Sequence, residues 1–151
     1  MSKCRIAVMF NGRNRRMVMP EIITTQDAFC PTADLPISQA MKANGFIFLM
    51  GVGAREPGTG RIVGSDIRTQ TRKAIENVQA ILRAAGADLK DVVRATCYLT
   101  RPEDYDGYNE TFAEFFRDIR PPRASLFMSG FRAPEMLVEL EITAVDPRAS
   151  R

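Results

Sequence analysis

The sequence predicts a two-layer α+β fold, with one mixed β-sheet and two helices packed on one of its faces. Three observations carry that prediction. Two segments each show a single apolar stripe at helical period, so each helix has one face to bury. The other ordered segments are short, rich in β-branched and aromatic residues, and follow the order β-ββ-α-β-α-ββ. A chain of 151 residues with 45% hydrophobic and 26% charged residues suits one domain with one core.

The elements follow in order. Residues 1–18 carry five basic residues and no acidic one, and lack the apolar stretch of a secretory signal. They are expected to form a disordered basic extension, with a single domain over 19–151. "EIITT" (21–25) is a candidate strand. "SQAMKANGFIFLMG" (38–51) is a hairpin turned at Asn44-Gly45, and a Gly/Pro-rich loop follows. A helix over about 66–85 places Ile67, Ile75, Val78, Ile81, Leu82 and Ala85 on one stripe. Ser65 or Asp66 caps its start and Gly86 ends it. "DVVRATCYLT" (91–100) is a strand. The second helix, about 103–118, carries Tyr105, Tyr108, Phe112, Phe115, Phe116 and Ile119 as a stripe for packing on the sheet. Strands over about 123–129 and 137–145 close the domain.

Strand parity assigns faces. Val138, Leu140, Ile142 and Ala144 belong with the helices, as do Ala124, Leu126 and Met128, and Val93, Ala95, Cys97 and Leu99. The opposite face then holds Arg94, Tyr98, Arg123, Phe127, Glu139 and Glu141 among apolar neighbours. Such a face is too apolar for water and too charged for a core, which predicts a homo-oligomer with a polar cleft.

Composition excludes several chemistries. There is no histidine, and Cys4, Cys30 and Cys97 have no metal-ligand or disulfide spacing. No metal and no organic cofactor is expected. No apolar run reaches the roughly 18 residues of a membrane span, so no membrane partner and a cytoplasmic location are expected. The 133 residues after the extension hold 16 basic and 18 acidic residues, which disfavours nucleic acid as a partner. The groups left for chemistry are Arg123, placed by Pro121-Pro122, and the Glu139/Glu141 pair. If the last two strands form a hairpin, arginine and glutamates share a face. The arginine would then clamp a small carboxylate while a glutamate orients water. A plain ion pair across the strands is the competing reading.

The segments "PISQAMKANGFIFLMG", "GRIVGSDIRTQTRKAIENVQAILRAAGADLKDVVRATCYLT", "YDGYNETFAEFF", "PPRAS" and "VELEITAV" resemble the Rid (reactive intermediate deaminase, YjgF) family, from about Leu35 to Val145. The resemblance implies a chorismate-mutase-like fold, a homotrimer with intersubunit clefts, and cofactor-free hydrolysis of enamine/imine intermediates to 2-keto acids and ammonia. It implies Arg123 as the carboxylate clamp and Glu139 as the residue orienting water. Gly51, Ile37, Asn109 and Ser125 fall at substrate-binding positions. Many members carry a tyrosine where this chain has Ile37 and a cysteine where it has Ser125, and "MGV" replaces the usual "SGQ" at Met50–Val52. These departures imply a more apolar pocket and a larger or more apolar imino acid. They also leave open a non-catalytic trimeric module that binds small carboxylates.

Overall fold

The computed structural model of the chain describes residues 19–149, so the extension expected over residues 1–18 lies outside the described residues. The strands are β1 (Glu21–Ile23), β2 (Ala40–Ala43), β3 (Phe46–Leu49), β4 (Val52–Gly53), β5 (Val92–Leu99), β6 (Arg123–Phe127) and β7 (Val138–Val145). The helices are α1 (Ile67–Ala84) and α2 (Tyr105–Phe116). All seven strands form one sheet in the order β1-β2-β3-β7-β5-β6, with β4 also paired to β7.

Local chemistry sets the boundaries. Asn44 (φ 51°) and Gly45 (φ 83°) both take positive φ, the requirement of a tight I′-type hairpin turn joining β2 to β3. Asp66 caps α1 by accepting a hydrogen bond from the Thr69 backbone N–H at 2.9 Å. Gly86 (φ 81°) stops the helix in the left-handed conformation. The α1 stripe packs on the sheet, with Ile75, Val78, Ile81 and Leu82 fully buried against Ile47, Leu140 and Ile142. Tyr108, Phe112 and Phe116 do the same for α2, and the Phe112 and Phe116 rings stack at 4.3 Å.

Three sequence expectations are corrected here. The last two strands do not form a hairpin. Strand β6 lies at the sheet edge, parallel to β5, and β5 separates it from β7. A right-handed crossover is the usual way to join parallel strands, and α2 supplies the return that makes β6 parallel to β5. The face assignment of β6 is also reversed. Register sets Arg123 beside Ala95, Ser125 beside Cys97 and Phe127 beside Leu99, and these β5 residues are buried under the helices. Arg123, Ser125 and Phe127 therefore point to the helix side, while Ala124 and Leu126 are exposed on the other. In β5 a bulge between Val92 and Arg94 turns Val92 inward and leaves Val93 exposed, again opposite to simple parity.

The helix-free face otherwise has the mixed character expected. Ile22, Met41, Phe46, Phe48, Leu126 and Val145 are exposed on it, next to Tyr98, Glu139 and Glu141. No helix of the described residues is long and apolar enough to cross a membrane.

Candidate functional site

All the predicted site residues except Ser125 fall into two separate clefts. One, of about 610 Å³, is lined by Ile37, Met50, Gly51, Val52, Gly53, Arg55, Arg132 and Glu139, with Phe29, Leu35 and Asn77 among the other walls. The second, of about 510 Å³, is lined by Asn109, Phe112, Arg117, Arg120, Pro121 and Arg123. Ser125 lines neither. It lies between β6 and α2, 3.4 Å from the Tyr108 hydroxyl. Burial pushes the neighbouring Cys97 thiol up to about 11, which leaves it protonated and inert near neutrality.

Glu139 sits in the centre of the sheet, flanked by Gly53 of β4 and Tyr98 of β5. Its side chain points to the helix-free face and folds over Gly51. A Cβ on Gly51 would lie 2.6 Å from Glu139 Cδ, with the carboxylate oxygen closer still. Glycine there leaves room for this carboxylate in its observed position and is not demanded by backbone conformation. Burial raises the Glu139 pKa above the ordinary glutamate range; Arg55 opposes that shift and Glu141 adds to it. Glu141 is occupied elsewhere, accepting a hydrogen bond from the Tyr98 hydroxyl at 2.9 Å. Of the two strand glutamates, Glu139 is the one lining the cleft.

Arg123 is held on the other face by groups from α2. Its Nη2 donates to Asn109 Oδ1 at 2.6 Å. Its guanidinium lies 4.6 Å from the Phe112 ring centroid and 5.2 Å from that of Tyr108, both within cation–π range. The aromatic stripe that the sequence assigned to packing does pack, and it also seats this arginine. Anchored on one edge, the fork keeps donors for an anion in a fixed orientation.

Sequence reasoning missed Arg55 and Arg132. Arg55 sits in the Gly/Pro-rich loop after β4, where its Nη1 donates to Gly60 O at 2.8 Å and its guanidinium covers Phe29 at 5.2 Å. The amide of Asn77 on α1 donates to the carbonyls of Gly53 (3.0 Å) and Arg55 (2.7 Å), fixing the backbone that carries it. Arg132 lies in the β6–β7 connection. That segment is latched by the buried Gln70, which donates to Glu135 O at 2.8 Å and accepts from Leu137 N–H at 2.8 Å. The cleft is thus not simply the more apolar pocket that the sequence led us to expect. Ile37, 54% exposed, contributes apolar surface at its rim, but the half-buried Arg55 and the exposed Arg132 line it together with Glu139.

Compared with known proteins, residues 27–146 match the family model described as Endoribonuclease L-PSP. A RutC family protein of Pyrococcus horikoshii is 42% identical over 127 residues, 83% of this chain and 98% of its own length. The Reactive Intermediate Deaminase A, chloroplastic, of Arabidopsis thaliana is 38% identical over 108 residues, 72% of this chain and 57% of its own. The crystal structure of E. coli TdcF with bound serine superposes with a TM-score of 0.75 at 30% identity, covering 83% of this chain and 98% of that one.

Proposed function

The chain belongs to the Endoribonuclease L-PSP family, the Rid family that its sequence resembles, and on that premise we propose that it hydrolyses reactive enamine/imine acids to 2-keto acids and ammonia, in sites shared between copies of the chain. One observation carries the reading. The clamp-type arginine and the half-buried carboxylate lie on opposite faces of the same sheet, each lining its own cleft. Two strand spacings, about 10 Å, also separate β6 from β7. No small substrate can touch both groups within one chain. A second copy docked on the apolar helix-free face can bring its Arg123 cleft to the Glu139 cleft, and the homotrimer implied by the resemblance closes such head-to-tail contacts.

In the shared site Arg123 holds the substrate carboxylate and Glu139 orients a water against the C=N carbon. The water adds its oxygen to that carbon, and its proton passes through the carboxylate to the nitrogen. The resulting carbinolamine collapses to C=O and expels ammonia. A raised Glu139 pKa suits a group that must both accept and return a proton. Fixing a reactive imine beside an oriented water supplies most of the remaining help through proximity. The name of the Arabidopsis relative, Reactive Intermediate Deaminase A, supports the reaction class. The serine bound in TdcF supports a small amino-acid-like ligand.

The test generates imines in situ with an amino-acid oxidase and traps the free imine with semicarbazide. Wild type is expected to suppress trapping, whereas Arg123→Ala and Glu139→Gln do not. Unfolding and refolding the two variants together regenerates intact sites only if each site draws on two chains. Random mixing then gives about a quarter of wild-type activity. Zero recovery from well-folded mixed oligomers refutes the shared site. A second reading, a carboxylate-binding module without catalysis, is favoured by Ile37, which offers the substrate no hydroxyl. It is the reading that survives if wild type binds 2-keto acids yet leaves trapping unchanged.

A further inference from the structure

Charge in the two clefts is out of proportion to the chain. Among the described residues Glu139 is the only carboxylate lining either of them, whereas Arg55, Arg132, Arg117, Arg120 and Arg123 all do. Within the Glu139 cleft alone, Arg55 and Arg132 leave one net positive charge. None of these five arginines has a carboxylate within 4 Å among the described residues. Yet Arg55 is half-buried and held in place by Gly60 O, the Phe29 ring and a backbone pinned by Asn77. A solvated surface arginine needs no such mounting. Arg55 acts on Glu139 only from beyond ion-pair distance, so its fixed guanidinium keeps donors for an anion from outside.

Resting on the deaminase reading, we propose that the preferred substrate is a doubly anionic imino acid, with Arg55, assisted by Arg132, holding a second carboxylate at the far end of the chain. Among the groups that would touch the substrate the charges then balance, Arg123, Arg55 and Arg132 against two carboxylates and Glu139, while Arg117 and Arg120 are exposed to water on the wall of the Arg123 cleft. Arg123 from one copy takes the carboxylate next to the C=N carbon. Glu139 and the water occupy the middle. Arg55 and Arg132 meet the distal carboxylate across the same cleft. A substrate with one carboxylate would leave the half-buried Arg55 without an anion in the shared site, a cost that the exposed Arg132 does not share. The cleft of about 610 Å³ has room for a four- or five-carbon diacid.

The experiment compares 2-iminoglutarate, made from glutamate, with 2-iminopropanoate, made from alanine, in the trapping assay. Calorimetric titration with 2-oxoglutarate and with pyruvate runs beside it. Wild type is expected to favour 2-iminoglutarate at least tenfold in kcat/KM, and 2-oxoglutarate to bind at least tenfold tighter than pyruvate. Arg55 also acts on Glu139, so the readout is the ratio between substrates, in which an effect on Glu139 cancels. In Arg55→Met the ratio should fall to about one, and Arg55→Lys should restore part of it. If wild type turns over both imines with a ratio near one, the distal-carboxylate site is overturned while the deaminase reading stands. If neither imine is consumed but 2-oxoglutarate still binds tighter in an Arg55-dependent way, the anion site stands and the deaminase reading falls. Equal, weak binding of both keto acids without turnover overturns both.

Discussion

Gly51→Ala separates the position of the Glu139 carboxylate from its presence. Gly51 does not occupy the left-handed region, so an alanine backbone is accommodated without strain. The added methyl, however, would sit 2.6 Å from Glu139 Cδ and 3.2 Å from Cγ. Carbon atoms in ordinary contact sit about 3.5–4.0 Å apart, so the carboxylate must retreat by about 1 Å. It is the far end of a flexible side chain, so the fold yields there rather than the backbone. A displacement of about 1 Å at a reacting group costs on the order of 100-fold in rate. The expected result is therefore a roughly 100-fold loss of kcat in the trapping assay with the melting temperature nearly unchanged. Because the loss runs through Glu139, adding Gly51→Ala to Glu139→Gln should cost little more than Glu139→Gln alone. Full activity in Gly51→Ala, or a loss that multiplies fully onto that of Glu139→Gln, would falsify the placement of this carboxylate at the reacting centre.

Two further outcomes follow from buried polar groups. Burial raises the pKa of Glu139 in the folded state, so its ionisation removes stability as pH climbs through that raised value, and the native state loses nothing on this account in acid. Glu139→Gln should accordingly melt higher than wild type at about pH 8 and match it at about pH 3, and the acid limb of wild-type kcat/KM should lie above the ordinary glutamate range. Equal melting shifts at both pH values would show that the carboxylate is not desolvated. Gln39, 1% exposed, donates to the carbonyls of Thr25 (3.1 Å) and Phe29 (2.9 Å) and accepts from Thr25 N–H at 2.6 Å. Gln39→Met leaves these backbone groups unpartnered and should lower stability by about 2–4 kcal/mol in denaturant titration. It should also raise KM, because Phe29 is the platform for Arg55; a loss under about 0.5 kcal/mol would mean the loop is held by something else.

What the sequence made legible was whatever rests on local chemistry. Asn44-Gly45 announces its turn because few residue pairs adopt two positive φ angles in succession. The cap at Asp66, the stop at Gly86 and the alternation of β7 are equally local. Parity failed in β6 because that strand has apolar residues on both faces: Ala124 and Leu126 look like core, but they belong to the exposed apolar face. Parity assumes that the outer face is polar, and here the exposed face carries apolar residues too. The bulge at Val92/Arg94 and the two-residue β4 are too short to leave a pattern. The latches were hidden for another reason. Gln70 bonds groups 65 and 67 residues away, and nothing in a local window distinguishes an amide that meets a distant loop from one that meets water. Arg55 and Arg132 share that fate, since both sit in loops whose course depends on such latches.

The opposed placement of Arg123 and Glu139 has a physical logic beyond geometry. On the helix-free face, register aligns Leu126 with Tyr98 and Tyr98 with Glu139, and likewise Ala124 with Thr96 and Thr96 with Glu141. An arginine at position 124 or 126 would lie on the glutamates' own face, two strands away, a span of about 10 Å that a long side chain can largely cross. It would pair with a glutamate inside the chain, and the clamp would be occupied before any substrate arrived. One residue's shift, to position 123, turns the side chain to the other face, where Asn109, Tyr108 and Phe112 hold it without neutralising it. The period of two in a strand thus keeps cation and carboxylate apart in each chain. In the proposed assembly they meet only across an interface, with the substrate between them.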